Sequence, residues 1–467
     1  MKWLDISKEP CALECVYCGQ SGKFPHVKSY DHEDETLSLY ACTRCKSLIY
    51  DLSEISAPVV SQTDAPDGVI SNEARWTVET GFSSYHVAAC AMSSLPEIPD
   101  HELRNHVFVD VGAGMGMASH FVKTLFGMPV VTIEPSYTGK LAQEILGLHV
   151  HRAYFEDLPE DVLAELANKP CFLHLNSVVE HLVDPAAVLA DMIGRARVDV
   201  LAAIVPDGAA MDFNGPFLNA LPFLAPRDHR HLPTELGVEL LLKRLGFQHV
   251  AVEVSAGLLT GIGSRYPMPV SSERMNRLSE QVFLENLKRH PNPIVATGGA
   301  SRLLPGAVLN GNTPLVAELV SFFSYEDRAG DLLEKVVNRD WDHLEFHLGQ
   351  TCYWLAYTAL QGGRLPNALA LLEITKAFAD AMADDYPPQC MTALEYKWAA
   401  MILESHILNA MGDPAAAEGP LLAVIAAKSD PKQGPRDTYV HQAEIALQAL
   451  RATAKTRQDE EVAEATA

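Results

Sequence analysis

Two stretches of this chain carry residues whose types and spacing point to chemistry. The first is His106-Val-Phe-Val-Asp-Val-Gly-Ala-Gly-Met-Gly-Met117, followed by Val-Val-Thr-Ile-Glu134. Asp110 stands two residues before Gly112, Gly114 and Gly116. Alternate glycines let a backbone turn sharply and come close to a ligand. Glu134 then supplies a carboxylate of the kind that binds a ribose diol. The second stretch holds two Cys-x-x-Cys pairs, Cys15/Cys18 and Cys42/Cys45, with 23 residues between them. Each pair makes a tight turn that aims two thiolates at one metal, and the spacer suffices for a short hairpin. Four thiolates around Zn²⁺ close the coordination sphere, so this site is read as structural, with no catalytic role. A redox dithiol is the competing reading. Cys11, His26 and His32 are the substitute ligands nearby, and Cys90, Cys171, Cys352 and Cys390 read as core thiols.

The elements that must position the first stretch follow from its pattern. Val107–Val111 reads as a buried strand, Ala118–Phe126 as a helix whose N-terminus faces the ligand, and Val130–Ile133 as a second strand ending at Glu134. Dinucleotide enzymes use a similar layout with G-x-G-x-x-G, cradling a pyrophosphate on the helix N-terminus. An acid at Asp110 repels a pyrophosphate and suits the ammonium of a methionine moiety. The segment resembles motif I of the class I S-adenosylmethionine (SAM) methyltransferases. That resemblance implies a Rossmann-like α/β domain with a seven-stranded sheet. It implies that Asp110 meets the methionine ammonium, directly or through water, that Gly112, Gly114 and Gly116 shape the cofactor turn, and that Glu134 holds the ribose.

The resemblance continues downstream. Tyr154-Phe-Glu-Asp-Leu-Pro159 sits at a strand-to-helix turn where the family places an aromatic residue and an acid around adenine. Phe155 with Glu156 or Asp157 fits, with the register open by one residue. Asp157, three residues before Glu160, also has the form of a helix cap. Cys171 to Pro185 reads as the fourth strand and its exit loop, similar to the E-H-L-x-D-P motif of methyltransferases of small molecules and glycans. Asn176, Ser177, Glu180 and His181 fall at the carboxyl end of the sheet, where open α/β sheets bind ligands. Val198–Val205 reads as the fifth strand, residues 208 to 234 as a long functional loop, Gln248–Val254 as the sixth strand, and 258 to 263 as a last antiparallel strand. His229, His231 and Thr234 roughly match an element of related methyltransferases, although Pro233 replaces its phenylalanine. A base for a hydroxyl or carbon acceptor is sought at His181, then His229 or His231, because imidazole titrates near neutrality.

The organisation is expected to be a zinc ribbon (1–55), a linker and helical lid (56–100) with Trp76, Phe82 and Tyr85, a SAM domain (101–265), an accessory segment (266–324), a helical-repeat-like domain (325–454) and an unstructured tail (455–467). The helical part is similar to tetratricopeptide pairs, with turns at Gly362-Gly363 and Gly412-Asp413 and small contacts at Ala356, Ala368 and Ala417. The 49 residues from Gly363 to Gly412 exceed that family's period. A bundle that docks or self-associates is the plainer reading.

The 467 residues carry a net charge of −24, which disfavours a phosphate-backbone substrate. No apolar run is long enough to span a bilayer, and the first ten residues lack the apolar core of a signal peptide, so the cytoplasm is expected. Methyl transfer to a sugar nucleotide or glycan end is the expected activity. A SAM-binding scaffold that recruits proteins, an RNA or protein methyltransferase, and an NAD-dependent oxidoreductase are the alternatives.

Overall fold

The computed structural model describes residues 2–32, 35–51, 76, 105–215, 217–224, 229–255, 257–267, 273–429 and 434–466. It divides into two compact units, Met1–Asn286 and Leu287–Ala467. The expected linker and lid lie outside the described residues, except Trp76, which is helical and buried.

The first unit is built on a seven-stranded mixed sheet. Its strands are β7 (Val107–Val111), β8 (Val130–Ile133), β9 (Val150–His151), β10 (Cys171–Asn176), β11 (Val198–Pro206), β13 (His249–Ser255) and β14 (Leu258–Ser264). The order across the sheet is β13-β14-β11-β10-β7-β8-β9. Counted within the domain this is 3-2-1-4-5-7-6. β14 lies between β11 and β13 and is antiparallel to both, whereas the other described pairs are parallel. The dinucleotide-binding order is 3-2-1-4-5-6; here a reversed strand is inserted beside the fifth. Every residue of β7 and β11 is buried, as strands covered on both faces require.

Helices 117–126 and 137–146 alternate with the strands and end on Gly127 and Gly147 in the left-handed conformation. Asp184 caps helix 185–195 by accepting from Ala187 N at 3.0 Å, with Pro185 at its first position. Asp157 does not cap the helix that follows it. That helix starts at Glu160 after Pro159, and Asp157 lies in a 3₁₀ turn, Phe155–Asp157.

The N-terminal residues form a hairpin, β2 (Cys11–Glu14) with β3 (Ser21–Phe24), and a five-stranded sheet, β1 (Trp3–Leu4), β4 (His26–His32), β5 (Glu35–Ala41), β6 (Leu48–Tyr50) and β12 (His231–Leu232). β12 belongs to the stretch between the fifth and sixth strands of the large sheet. That stretch is therefore not a plain loop: it holds a 3₁₀ turn, a helix (Phe217–Leu224) and β12. Met211, Ala220, Leu224 and Leu232 share a core with Tyr30, Leu37, Leu39, Leu48 and Tyr50. An N-terminal module of about 50 residues has too few apolar residues to fold alone, and the later chain supplies what is missing.

The second unit is helical. Its helices are Pro293–Leu309, Thr313–Phe323, Ala329–Val337, Leu348–Gln361, Leu365–Asp385, Met391–Ala410, Pro414–Ala426 and Asp437–Thr466. Gly311, Gly363 and Gly412 take positive φ at three of the turns, and Ala356, Ala368 and Ala417 are fully buried. Helix begins well before residue 325, so much of the expected accessory segment belongs to this array. The last helix runs to Thr466, where an unstructured tail is expected from polarity. Its Ala, Glu, Gln, Arg and Lys are strong helix formers. Among the described residues, no helix is long and apolar enough to cross a membrane.

Candidate functional site

The glycine turn leaves β7 at the carboxyl end of the sheet. Gly112, Gly114 and Gly116 all have positive φ, between 53° and 69°. A Cβ on Gly112 would lie 2.5 Å from Val178 Cγ2, and one on Gly116 would lie 2.5 Å from Leu148 Cδ1. A Cβ on Gly114 would meet nothing within 4 Å. The outer glycines are thus favoured by packing as well as by φ, and the central one by its positive φ alone, beside open space. Glu134 reaches into this turn. Its Oε2 accepts from Gly114 N at 2.7 Å and its Oε1 from Ser136 N at 2.9 Å. Each oxygen keeps lone-pair capacity for a hydroxyl.

Asp110 is held differently. Its Oδ2 accepts from Ser119 N (3.2 Å) and Ser119 Oγ (2.9 Å), and its Oδ1 accepts from His174 Nδ1 (2.8 Å). It is 2% exposed. The carboxylate braces the start of helix 117–126 and pairs across the sheet with His174, its register partner on β10. The structure therefore brings both oxygens of Asp110 against protein groups.

Phe155 is also buried among core residues. It is 2% exposed in the main core, while Glu156 and Asp157 are exposed. The accessible aromatic of that turn is Tyr154, one residue earlier, at 47%. Asn176 ends β10 half-buried, and Ser177 follows with φ 54°. The next turn, Val179–His181, sits beside the glycine loop through Val178.

The three histidines named as bases differ sharply. His231 is 1% exposed and both ring nitrogens are engaged. Its Nε2 donates to Leu182 O at 2.8 Å, so Nδ1 must accept from Tyr17 O–H at 2.6 Å. Burial holds its pKa down to about 4. His231 is a structural link, not a base. His229 donates Nδ1–H to Phe223 O, which leaves the Nε2 lone pair 3.9 Å from Glu180 Oε1. Burial lowers its pKa to about 4. His181 is exposed, with its ring 4.9 Å from that of His229. Glu180 is fully buried, and burial pushes its carboxyl up to about 8.

Cys15, Cys18, Cys42 and Cys45 are all buried, with their sulfurs within 4.8 Å of one another. Cys15–Cys45 and Cys18–Cys42 are each 3.5 Å apart. Tetrahedral Zn–S bonds of about 2.3 Å place sulfurs about 3.8 Å apart, so this donor set fits a zinc ion with small adjustment. The hydrogen bond from Cys15 holds Cys45 down to about 5 and pushes Cys15 far up. The two knuckles share one backbone design. Gly19 N donates to Cys15 O and Lys46 N to Cys42 O, and Gly19 and Lys46 both take positive φ. Cys11 instead contacts Asp51 and His26 contacts Ser29, while the side chain of His32 lies outside the described residues. Cys171, Cys352 and Cys390 are buried free thiols, and Cys90 lies outside the described residues.

The knuckles are tied to the sheet domain. Arg244 Nη1 donates to Val16 O (3.1 Å) and Tyr17 O (2.9 Å). Thr234 Oγ1 donates to Cys45 O at 2.5 Å and accepts from Gly237 N as a helix cap. Tyr17, Ser119, His174 and Arg244 were not singled out from sequence. The histidine inside an apolar strand, Cys-Phe-Leu-His-Leu, was the one available signal for His174.

No family model matches the chain, and no curated protein matches it in sequence. Among solved structures it is similar to human N-acetylserotonin methyltransferase in complex with SAM, at 15% identity and a TM-score of 0.31. That match covers 46% of this chain and 61% of the other. CalO1, a methyltransferase in calicheamicin biosynthesis, matches at 14% identity and TM-score 0.27, covering 39% and 53%. The cyclopropane synthase MmaA2 from Mycobacterium tuberculosis matches at 13% and 0.26, covering 55% and 95%. The chain thus spans less than two-thirds of the length of the first two. At scores this low the likenesses add nothing to what the strand order shows.

Proposed function

We propose that this chain is a SAM-dependent methyltransferase acting on a small molecule or glycan, with a structural Zn²⁺ held by Cys15, Cys18, Cys42 and Cys45. The observation that carries the reading is the glycine turn with its acid. Gly114 opens onto free space, Gly112 and Gly116 are closed by Val178 and Leu148, and Glu134 sits on Gly114 N. The reversed strand beside β11 argues against a dinucleotide.

Bound SAM would supply an electrophilic methyl group on a sulfonium. The protein's own contribution is placement. Glu134 would hold the ribose hydroxyls with the lone pairs that Gly114 N and Ser136 N leave free. Asp110 acts one layer back, keeping helix 117–126 and the turn in register through Ser119. Tyr154, in place of Phe155, is the aromatic beside the adenine, with Glu156 or Asp157 as the acceptor for its amine. Asn176 and the 177–181 turn form the wall next to the reacting groups. For a hydroxyl or carbon acceptor, His181 takes the proton, since His231 has no free nitrogen and His229 is made a weak base by burial. A sugar nucleotide or polysaccharide end is the acceptor class we favour, since the net charge of −24 disfavours RNA. The helical unit would serve a protein partner or self-association.

Calorimetric titration with SAM, S-adenosylhomocysteine and NAD tests this. Micromolar binding of the two adenosyl ligands, lost in Glu134→Ala and absent for NAD, supports the reading. No binding of either by folded, zinc-loaded protein overturns it.

A further inference from the structure

The loop after β10 holds a second cluster of metal-ligating groups. Glu180 has no solvent exposure, and neither of its carboxyl oxygens has a hydrogen-bond partner among the described residues. Its backbone carbonyl accepts from Arg230 N at 2.8 Å, and the nearby peptide N–H of Glu180 itself only partly offsets the burial of the carboxyl. A buried carboxyl with both oxygens unmatched calls for a partner. His229 Nε2 lies 3.9 Å from Glu180 Oε1. That is too long for a hydrogen bond in either protonation state. The gap between them is the size of an ion.

We propose that Glu180, His181 and His229 form a second metal site, for a divalent transition-metal ion such as Zn²⁺, Mn²⁺ or Fe²⁺, distinct from the four-cysteine cluster. One ligand atom from each of the three lies within 4.8 Å of the others. Metal bonds of about 2.1 Å place donors about 3 Å apart when adjacent and about 4.2 Å when opposite. The bound of 4.8 Å is close to the spacing of opposite donors, and His181 is the exposed member of the three.

The orientation of His229 supports the assignment. Its Nδ1–H is committed to Phe223 O, which fixes the tautomer and aims the Nε2 lone pair at the Glu180 side. An outer hydrogen bond of this kind is how proteins orient metal-binding imidazoles. Two imidazoles with one carboxylate select a transition metal over Mg²⁺ or Ca²⁺, and three protein ligands leave positions open for water or a substrate oxygen. The cluster stands at the carboxyl end of β10, next to the glycine turn through Val178. On the methyl-transfer reading, and resting on it, an ion here would lower the pKa of an acceptor hydroxyl so that its proton passes to solvent water instead of to His181, while the oxygen takes the methyl group and the thioether S-adenosylhomocysteine leaves.

The test is metal binding by the full, zinc-loaded chain without SAM. Bound metals are counted after dialysis, and Co²⁺ is then titrated with visible absorption as the readout. We expect the cysteine-bound zinc to stay and one Co²⁺ to be added, with d–d bands and no thiolate-to-cobalt charge-transfer band. His181→Ala and Glu180→Gln each weaken that Co²⁺ about 10–100-fold, while the retained zinc reports that the variants are folded. No added ion, cobalt seen only with the thiolate band, or an affinity unchanged in both variants overturns the proposal. A separate titration with S-adenosylhomocysteine in metal-free buffer reports on the methyl-transfer reading, so the two fail independently.

Discussion

Removing one oxygen from Tyr17 tests how the N-terminal module is joined to the sheet domain. Tyr17 lies inside the first Cys-x-x-Cys knuckle and is fully buried. Its hydroxyl donates to His231 Nδ1 at 2.6 Å, and its ring meets the imidazole edge-on at 4.9 Å. Tyr17→Phe keeps the ring contact and deletes only the donor. His231 cannot compensate by changing tautomer, because Nε2–H is committed to Leu182 O. The variant therefore leaves a buried acceptor unmatched, at a cost of about 1–3 kcal/mol. For a domain of this size each kcal/mol lowers Tm by roughly 2–4 °C. Calorimetry of the zinc-loaded chain should show the transition of the first unit lowered, with that of the helical unit unchanged. The double variant Tyr17→Phe/His231→Phe should lose less than the sum of its parts, with a coupling of about 0.5–3 kcal/mol. A single variant within about 0.5 kcal/mol of the parent, or an additive cycle, would refute the link. Leu182 follows His181 directly, so hydrogen exchange at Val179–Leu182 should also rise in Tyr17→Phe.

Other outcomes follow from the same contacts. Gly116→Ala should cost about 2 kcal/mol or more, since its Cβ meets Leu148 at 2.5 Å on top of the positive φ. Gly114→Ala should cost only about 1 kcal/mol of backbone strain yet weaken SAM in calorimetry more than Gly116→Ala does per unit of lost stability. Arg244→Ala should speed zinc release to a chromogenic chelator, because the carbonyls of Val16 and Tyr17 lose their donor. His231 is kept neutral, with its pKa lowered from 6.5 to about 4 by burial. Between those values the unfolded chain binds the extra proton, so its share of stability is full above pH 6.5 and falls as pH drops towards 4. The loss is at most about 3 kcal/mol, and the pH slope of Tm from 6.5 to 4.5 should be shallower in His231→Phe.

How far the sequence could be read depends on how local each signal was. The glycine turn, its flanking strands and Glu134 lie within some thirty residues, and the backbone demands of that turn are written in the residue types themselves. The two knuckles are equally local. The histidines were legible as types but not as roles. His231 looks like a base in isolation, yet its partner Tyr17 is 214 residues away, and that pairing exists only because β12 joins the N-terminal sheet. Asp110 shows the same limit: its acid was visible, but its engagement by His174 depends on the register of β7 against β10. Phe155 and Tyr154 show how one residue of phase decides between core and surface in a 3₁₀ turn that carries no periodic pattern. The stretch 208–234 hid its strand because two residues, His231 and Leu232, are too few to show alternation.

The stretch before the sixth strand also bears on function. The chain between the fifth and sixth strands carries β12, the cap Thr234, the link His231 and the candidate ligand His229 within six residues. Its Leu232 packs in the N-terminal core, and its His229 faces Glu180. A closed four-cysteine site performs no chemistry of its own, but on the zinc reading proposed above it would hold the strand that leads to the candidate site, through Thr234 on Cys45 and Tyr17 on His231. Loss of zinc should therefore act at a distance. Stripping the metal from the full chain should raise hydrogen exchange at Val179–Leu182 and at His229–Thr234 together, and leave the glycine turn at Gly112–Gly116 protected. Exchange confined to the N-terminal 50 residues would show that the module is only an appendage.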